Sequence, residues 1–431
     1  MSHASLTSLS SAVKRIEQYG MYVDLIATSR GTVRVGSMPD IAKAMSHFGF
    51  REETVVVPDW EGSMAGDNRT GEEFVLWQAQ VKGGIQKEYV GKPEEIRQMR
   101  SHLDETFSFF FDPRRIFIIK KRWLANWFCP RAAEPAYRNG DLKIQMDKGN
   151  IVITDHGQKL YDRLELRPQS GPDDGVEEVL ARVARDRHPR EVLEITPMGT
   201  GNGFVGTVSS FVVRFGPLAI LIDPAGYPAH TLARHGVHWD DITHILITHN
   251  HEDHIQGFSA CLKRAEKTAT PLRLLTAPGI HRLLKKQFTP LCHEFDALVS
   301  FIPMEPGIPL QLDPIRIDCR WNHHFLPYGT LGLRIWAGGH MVGFSGDTKL
   351  DETINSILNR AELGYVWFKH CGLVLHEIDF DNPGSVHTHW KQVEKLQEAI
   401  PGQVIGYHTP YLANAPFPLA REGKTYSLEG I

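Results

Sequence analysis

The strongest constraint on this chain is a cluster of metal-ligand residue types that directly follows a short apolar segment. Residues 242–248 form that segment, which is typical of a buried strand, and the cluster is His249-Asn-His251-Glu-Asp253-His254. Imidazole nitrogens and carboxylate oxygens bind divalent transition metals at about 2.0–2.2 Å. Alternate residues of an extended chain point the same way, so His249 and His251 can share one metal. Asp253 and His254 can face a second metal as the chain turns.

The composition is that of a globular protein without a cysteine-based scaffold. The chain has 431 residues, which favours two domains, and its net charge of −4 does not call for a polyanionic partner. Its five cysteines are scattered and lack CxxC spacing, which argues against a disulfide framework and against a Cys-rich zinc site. The 22 histidines are many for this length, and their clustering is the informative feature.

The sequence predicts neither a signal peptide nor a membrane-spanning segment. Its first residues lack the charged start and apolar stretch of a signal peptide. No apolar run approaches the ~18 residues that a spanning helix needs. We therefore expect a cytoplasmic protein with no membrane partner.

A loop-rich segment divides the sequence into two parts. Residues 168–175 have the Pro, Gly and Asp content of a loop. We therefore expect an N-terminal α/β domain over residues 1–165, a linker and helix over 166–190, and a second domain over 191–431. Within the first domain, residues 12–19 favour a short helix. This domain resembles no family that we identify, and we expect it to recognise the substrate or a protein partner, or to serve oligomerisation.

A segment near residue 120 interleaves basic and aromatic side chains. Lys120, Trp123 and Trp127 could contact nucleic acid through charge and base stacking. The spacing of four between the two tryptophans also fits an amphipathic segment with both rings in the core. We favour the core interpretation.

Further motifs carry ligand and acid–base residue types in a fixed order along the second domain. They are Ile220-Leu-Ile-Asp223, Gly343-Phe-Ser-Gly-Asp347-Thr348, Leu375-His376-Glu377, Val386-His387-Thr-His389 and Tyr407-His408-Thr-Pro-Tyr411. Together with the histidine cluster, this order resembles the metallo-β-lactamase superfamily of hydrolases, from about Val192 to about Tyr411. The resemblance implies an α/β fold of the αββα sandwich type, with two sheets flanked by helices and metals at one edge. A separate α/β domain precedes it here.

The resemblance implies a centre of two divalent metal ions. The implied ligands are His249, His251, Asp253, His254, His324, Asp347 and His408. One metal takes His249, His251 and His324, and Asp347 bridges the two ions. Asp223 is expected to support the ligand loop without binding metal. Zinc is the expected metal, with manganese and iron as alternatives, because a mixed His/Asp site is not very selective.

Two neighbouring histidines compete for the role of third ligand to the first metal. His324 starts a His-x-x-Pro segment that leads into a glycine-containing strand, as in the family. Side-chain alternation along the preceding strand, through Cys319 and Trp321, favours His323 instead. We choose His324, and the alternative stays open at this point.

The pair Glu377 and His387 narrows the resemblance to one branch. Their motifs are similar to the His-Glu and His-Ser-Thr elements of the tRNA 3′-processing endonucleases and related cyclic-phosphate phosphodiesterases. That resemblance implies that His387 protonates the leaving oxygen, that Glu377 orients it, and that Asp253 can also orient or deprotonate the attacking water. His324 and Asp347 are only 23 residues apart, which leaves no room there for the long tRNA-binding arm of the tRNA maturases. Glu252 occupies a position at which the family usually has a small or apolar residue.

These observations predict a metal-dependent phosphodiesterase that acts on a cyclic nucleotide, a small cyclic phosphate or RNA. The alternatives are a metal-dependent ester, thioester or lactone hydrolase, and a metal-stabilised module whose N-terminal domain binds a protein partner. The complete ligand set argues against the last, since a scaffold would tolerate the loss of a ligand. The resemblance alone also favours a homodimer.

Overall fold

The computed structural model describes residues 5–18, 21–38, 41–50, 55–57, 87–94, 96–101, 128–132, 136–166, 180–186, 188–202, 206–292, 294–324, 329–357, 359–360, 364–409 and 412–428. The chain divides into two compact units. The first unit comprises Met1–Val179 together with Lys286–His293, and the second comprises Leu180–Lys285 together with Glu294–Ile431. The break after Val179 falls inside the predicted linker. Lys120, Trp123 and Trp127 lie outside the described residues.

The described part of the first unit contains two sheets. The larger has seven strands in chain order, antiparallel from β1 to β4 and parallel from β4 to β7. Its elements are β1 (Ser5–Ser8), β2 (Val13–Gln18), β3 (Met21–Thr28), β4 (Gly31–Val35), α1 (Ile41–His47), β5 (Val55–Val57), β6 (Lys87–Gly91) and β7 (Phe128–Ala132). The smaller sheet is an antiparallel meander of β8 (Ala136–Asn139), β9 (Leu142–Asp147), β10 (Asn150–Asp155) and β11 (Gln158–Asp162), followed by α2 (Arg163–Leu166). Aliphatic side chains from both sheets, including Val33 and Ile153, share one core.

The predicted helix over residues 12–19 is wrong, because this segment forms strand β2. Its cross-strand partner explains the difference: Arg15 pairs with Asp24 on β3. Nε and Nη2 of Arg15 donate to the two carboxylate oxygens of Asp24 at 2.7 and 2.8 Å, and Tyr161 donates to the same carboxylate at 2.9 Å. Arg15 is thereby buried, so its charge does not mark a solvent-facing helix surface.

The second unit is a sandwich of two mixed sheets. The first sheet has the order β17-β16-β15-β14-β13-β12-β24, and the second has the order β18-β19-β20-β21-β22-β23. The strands of the first are β12 (Arg190–Gly199), β13 (Ser210–Gly216), β14 (Leu218–Ile222), β15 (His244–Leu246), β16 (Leu272–Thr276), β17 (Val299–Pro303) and β24 (Tyr426–Leu428). Those of the second are β18 (Leu310–Leu312), β19 (Ile315–Asn322), β20 (Thr330–Ala337), β21 (His340–Phe344), β22 (Leu373–Glu377) and β23 (Gln403–Tyr407).

Aromatic contacts join the inner faces of these two sheets. The ring of Phe211 on β13 lies 5.5 Å from that of Phe344 on β21 and 5.0 Å from that of Tyr407 on β23, both edge to face. Such pairs add to the stability gained by burying the rings. The two sheets therefore share one apolar core.

Amphipathic helices flank the sheets. The helices are α3 (Pro228–Arg234), α4 (Glu252–Ile255), α5 (Phe258–Thr268), α6 (Pro278–Phe288), α7 (Phe295–Leu298), α8 (Glu352–Ile357) and α9 (Trp390–Ala399), with 3₁₀ turns at Trp239–Asp241 and Tyr365–Phe368. The buried face of α5 includes Phe258 and Leu262, and α9 buries Val393 and Leu396 in a cluster with Val404 of β23. The predicted αββα sandwich, preceded by a separate α/β unit, is confirmed. Within the described parts of the chain, no helix is both long and apolar enough to cross a bilayer.

Candidate metal centre

Strand ends at one edge of the sandwich position the candidate ligands. Strands β14 and β15 run parallel in one sheet, and β21, β22 and β23 run parallel in the other. The carboxyl ends of parallel strands lie at the same edge of a sheet. The residues that follow these ends, together with the end of β19, are Asp223, His249 to His254, His324, Asp347 and His408. The structure therefore brings together side chains that are up to 185 residues apart in sequence.

Asp347 lies at the centre of the cluster. Its Oδ2 is 3.3 Å from Nε2 of His254, and 3.7 Å from Nε2 of both His324 and His408. Nε2 of His249 lies 3.9 Å from the same oxygen. One carboxylate oxygen thus faces four imidazoles, which is the placement expected of a bridging ligand.

His249, His251 and His324 form the first group of ligand atoms around Asp347. Nδ1 of His251 lies 3.0 Å from Nε2 of His249 and 3.2 Å from Nε2 of His324. Two ligands bound tetrahedrally at about 2.0–2.1 Å stand roughly 3.3 Å apart. The nitrogens of His249 and His324 are therefore each spaced from that of His251 as a transition metal requires.

The structure places His324, not its neighbour His323, in this group. Strand β19 ends at Asn322, which pairs with Thr330 of β20. Beyond that residue the chain leaves the strand, so the two-residue alternation that favoured His323 no longer applies. The backbone carbonyl of His323 instead accepts a hydrogen bond from the N–H of Lys349 at 2.6 Å.

Asp253, His254 and His408 form the second group. Nδ1 of His254 lies 2.7 Å from Oδ2 of Asp223, which leaves Nε2 of His254 facing Asp347. On the other side, Nε2 of His408 lies 4.0 Å from Oδ2 of Asp253. Hydrogen-bonding one ring nitrogen to a carboxylate fixes which nitrogen a metal can use.

His387 and Glu377 stand beside these two groups, and His387 also forms a further group of possible ligand atoms with Asp347 and His408. Nδ1 of His387 lies 2.8 Å from Oε2 of Glu377 and 4.0 Å from Oδ2 of Asp347. Glu377 is fully buried, whereas the side chain of His387 is 25% exposed. The sequence predicted both members of this pair, and the structure brings them together at the open side of the cluster.

The sequence of the second unit matches one family model over most of its length. The model, described as "Anti-Pycsar protein Apyc1", matches residues 193–415, which is more than half of the chain. This chain belongs to the Apyc1 family. All the predicted site residues of the chain fall inside the matched range.

The relatives of this Apyc1-family chain include two phosphodiester-cleaving enzymes. A cGMP-dependent 3′,5′-cGMP phosphodiesterase A of Dictyostelium discoideum is 26% identical over 54% of this chain and 28% of its own length. A ribonuclease Z of Crocosphaera subtropica is 29% identical over 32% of this chain and 46% of its own length. The chain therefore spans less than half the length of either relative. The metallo-β-lactamase fold protein YhfI of Bacillus subtilis is 18% identical, with a TM-score of 0.45, over 55% of this chain and 100% of its own. The predicted recognition of this superfamily and branch is confirmed.

Burial keeps most of the imidazoles among the candidate metal ligands neutral. It lowers the pKa of His251 and of His408 to about 3, and that of His249 well below its usual value. A neutral imidazole has the free lone pair that a metal needs. For His254 burial acts in the same direction, but the carboxylates of Asp347 and Asp223 outweigh it and raise the pKa. A divalent cation would displace that proton.

A second observation, on Asp347, also indicates that the candidate ligands fit a divalent metal centre. Oδ1 of Asp347 is buried and has no hydrogen-bond partner among the described residues. An unpaired buried carboxylate oxygen is costly, and a cation would satisfy it. Burial opposes ionisation of Asp347, but His408 and His254 outweigh burial and hold its pKa well below the usual range.

Two residues that orient ligands were missed at the sequence level. The hydroxyl of Thr248 donates to Oδ2 of Asp223 at 2.6 Å, and its N–H donates to Oδ1 at 2.8 Å. Its position directly before His249 was an available signal. The hydroxyl of Ser209 lies 3.3 Å from Nδ1 of His408. No sequence pattern connects Ser209 with His408, because they are 199 positions apart.

Proposed function

We propose that this chain is a dinuclear metal-dependent phosphodiesterase that hydrolyses a 3′,5′-cyclic nucleotide. The observation that carries the proposal is the His387–Glu377 pair, with Nδ1 of His387 only 4.0 Å from Oδ2 of Asp347. A diester with an alkoxide leaving group needs a proton donor at that oxygen. Hydrolysis at a metal centre without such a pair suits carboxylic esters and thioesters, whose cleavage depends less on it.

Each residue of the centre has a separate proposed task. Divalent ions held by the seven ligands would polarise the phosphoryl oxygen and lower the pKa of the attacking water. Asp253, at the rim of the second group, orients that water and accepts its proton. His387 donates a proton from Nε2 to the ribose oxygen as its bond to phosphorus breaks, and Glu377 stabilises the imidazolium through Nδ1. Zinc is our first choice of metal.

Two observations favour a small cyclic substrate over RNA. The 3′,5′-cGMP phosphodiesterase aligns with 54% of this chain, whereas the ribonuclease Z aligns with 32%. In addition, the interval between His324 and Asp347 is largely filled by the paired strands β20 and β21. That hairpin leaves no long arm at this place to hold a polynucleotide.

The first unit has a proposed role in recognition or oligomerisation, in keeping with the expected homodimer. This unit comprises Met1–Val179 and Lys286–His293. Almost all of it lies outside the range that the Apyc1 family model matches. A protein partner for this unit, the homodimer and the cytoplasmic location all stay predictions.

The test is hydrolysis of a substrate panel by protein reconstituted with Zn²⁺ or Mn²⁺. The panel contains 3′,5′-cyclic nucleotides, 2′,3′-cyclic nucleotides, a short RNA, and p-nitrophenyl acetate as an ester. We expect 3′,5′-cyclic nucleotides to be hydrolysed with the highest kcat/KM. Hydrolysis of the ester alone, by protein with about two metals bound, would replace the proposal with the ester hydrolase. Preference for RNA would move the proposal to a nuclease.

A further inference from the structure

We propose that Lys349 is a positioning residue that holds the loop carrying His387 in its catalytic place. The loop, residues 380–387, lies within the connection between the end of β22 and the start of α9. Nζ of Lys349 donates to the carbonyl of Pro383 at 2.7 Å and to the carbonyl of His387 at 3.1 Å. One side chain thus ties both the middle and the end of the loop to the segment that carries Asp347. The proposal rests on the proposed function, in which His387 is the general acid.

The backbone around Lys349 is fixed on the ligand side. Its N–H donates to the carbonyl of His323 at 2.6 Å, directly before the proposed ligand His324. The hydroxyl of Thr388 donates to the carbonyl of Thr348 at 2.7 Å and accepts from the N–H of Leu350 at 3.0 Å. The base of the lysine side chain is therefore held in place with respect to Asp347, two residues earlier.

Lys349 holds the part of the loop that Thr388 does not reach. Residues 381–384 are exposed. The hydroxyl of Ser385 donates to Oδ2 of Asp379 at 2.6 Å, which gives the turn its local shape. That contact ties the turn to Asp379, two residues after Glu377 at the end of β22. The bond from Lys349 to Pro383 ties the turn to the segment that carries Asp347.

The same loop also contacts a proposed metal ligand. The carbonyl of Val386 lies 3.4 Å from Nδ1 of His324. This contact places the loop against the ligand cluster, and a shift of residues 383–387 would move the acid out of that place. Lys349 is placed to prevent that shift.

Replacing Lys349 by methionine removes the donor and keeps most of the aliphatic chain. We expect kcat for a 3′,5′-cyclic nucleotide to fall about 10- to 100-fold, because a misplaced catalytic group loses roughly this much. Bis-p-nitrophenyl phosphate, whose leaving group needs little protonation, should be hydrolysed almost as fast as before. A general loss of folding would slow both substrates alike. Lys349→Arg, which restores a donor, should recover most of the rate.

Amide hydrogen exchange of residues 380–388 tests the proposal without relying on activity. We expect faster exchange in Lys349→Met than in the wild type. Lys369→Met is the matched control, since Lys369 is exposed and lies outside the loop and the ligand segments. It should leave both exchange and kcat unchanged. A third experiment combines Lys349→Met with His387→Ala. In this background Lys349→Met should slow hydrolysis less than ~2-fold further, because Lys349 acts through His387.

Three results would overturn the role of Lys349. They are unchanged exchange in the loop, equal slowing of both diesters, and a full additional loss in the His387→Ala background. A wild type that cleaves no diester would instead contradict the proposed function. The exchange comparison would still decide whether Lys349 holds the loop.

Discussion

Glu377 and His387 form a hydrogen-bonded pair, and both carboxylate oxygens of Glu377 have hydrogen-bond partners. Oε2 of Glu377 lies 2.8 Å from Nδ1 of His387, and Oε1 accepts the N–H groups of Thr348 at 2.9 Å and Thr388 at 3.1 Å. Burial disfavours the charged imidazole, but Glu377, with Asp347 and Asp253, outweighs burial and raises the pKa of His387 to about 9. The pair therefore favours the protonated form of His387, with Nε2 left to act on a substrate.

The first prediction is that His387→Ala slows substrates according to their leaving groups. We expect kcat for a 3′,5′-cyclic nucleotide to fall ~100-fold or more, the usual loss for a general acid. Bis-p-nitrophenyl phosphate should lose less than ~10-fold, because its weakly basic leaving group needs little protonation. Steady-state kinetics on both substrates measures the difference.

A neighbouring histidine supplies the control for this variant. His389 is the N-cap residue of α9, and Asn serves well at that position. His389→Asn should therefore retain the wild-type rate on both substrates. Equal losses on the two substrates in His387→Ala would contradict a general-acid role.

The second prediction separates the two adjacent histidines by metal content. His324→Ala removes a nitrogen that lies 3.2 Å from Nδ1 of His251, so bound metal should fall from about two ions per chain to about one. His323→Ala should keep both, because His323 lies outside the ligand groups of the described residues. Inductively coupled plasma mass spectrometry of the purified proteins gives the count. Loss of metal from His323→Ala alone would reverse the ligand assignment.

The third prediction concerns Asp223, which orients His254 without belonging to the proposed ligand set. Asp223→Asn weakens the contact to Nδ1 of His254, which is 2.7 Å long. We expect the metal affinity to fall about 10- to 100-fold, as is usual when the partner of a ligand histidine is changed. Competition with a chromophoric chelator measures the affinity. Asp296→Asn, at a carboxylate that is 70% exposed, is the matched control and should bind metal as the wild type does.

The fourth prediction tests the buried ion pair of the first unit. Asp24→Ala leaves the guanidinium of Arg15 buried without its carboxylate, which should lower the free energy of unfolding by about 3–5 kcal/mol. Replacing both partners, as Arg15→Met with Asp24→Leu, should recover most of the loss. Urea unfolding of each variant gives the values. Asp141→Ala, at a side chain that is 65% exposed, should change the stability little. A comparable loss in that control would argue against a specific role for the pair.

Local sequence patterns predicted secondary structure where the deciding contacts lie within the segment itself. The predicted strand over residues 242–248 is present in part, because His244–Leu246 form strand β15. The prediction for residues 12–19 was wrong because its deciding interaction lies outside the segment. Asp24 neutralises Arg15, and Tyr161 donates to the same carboxylate. No pattern within residues 12–19 contains that information.

The sequence by itself predicted the chemistry of the centre, because ligand type and spacing within His249 to His254 depend only on neighbours along the chain. It also determined the fold class, since the order of the motifs carries the resemblance. Only the tertiary structure decided that His324, not His323, joins the cluster, because that depends on where β19 ends against β20. It alone placed Ser209 beside His408 and Lys349 beneath the His387 loop. Those contacts join residues far apart in sequence. The packing of the two sheets sets the distance from Ser209 to His408, and the pairing of β21 with β22 sets the distance from Lys349 to the loop.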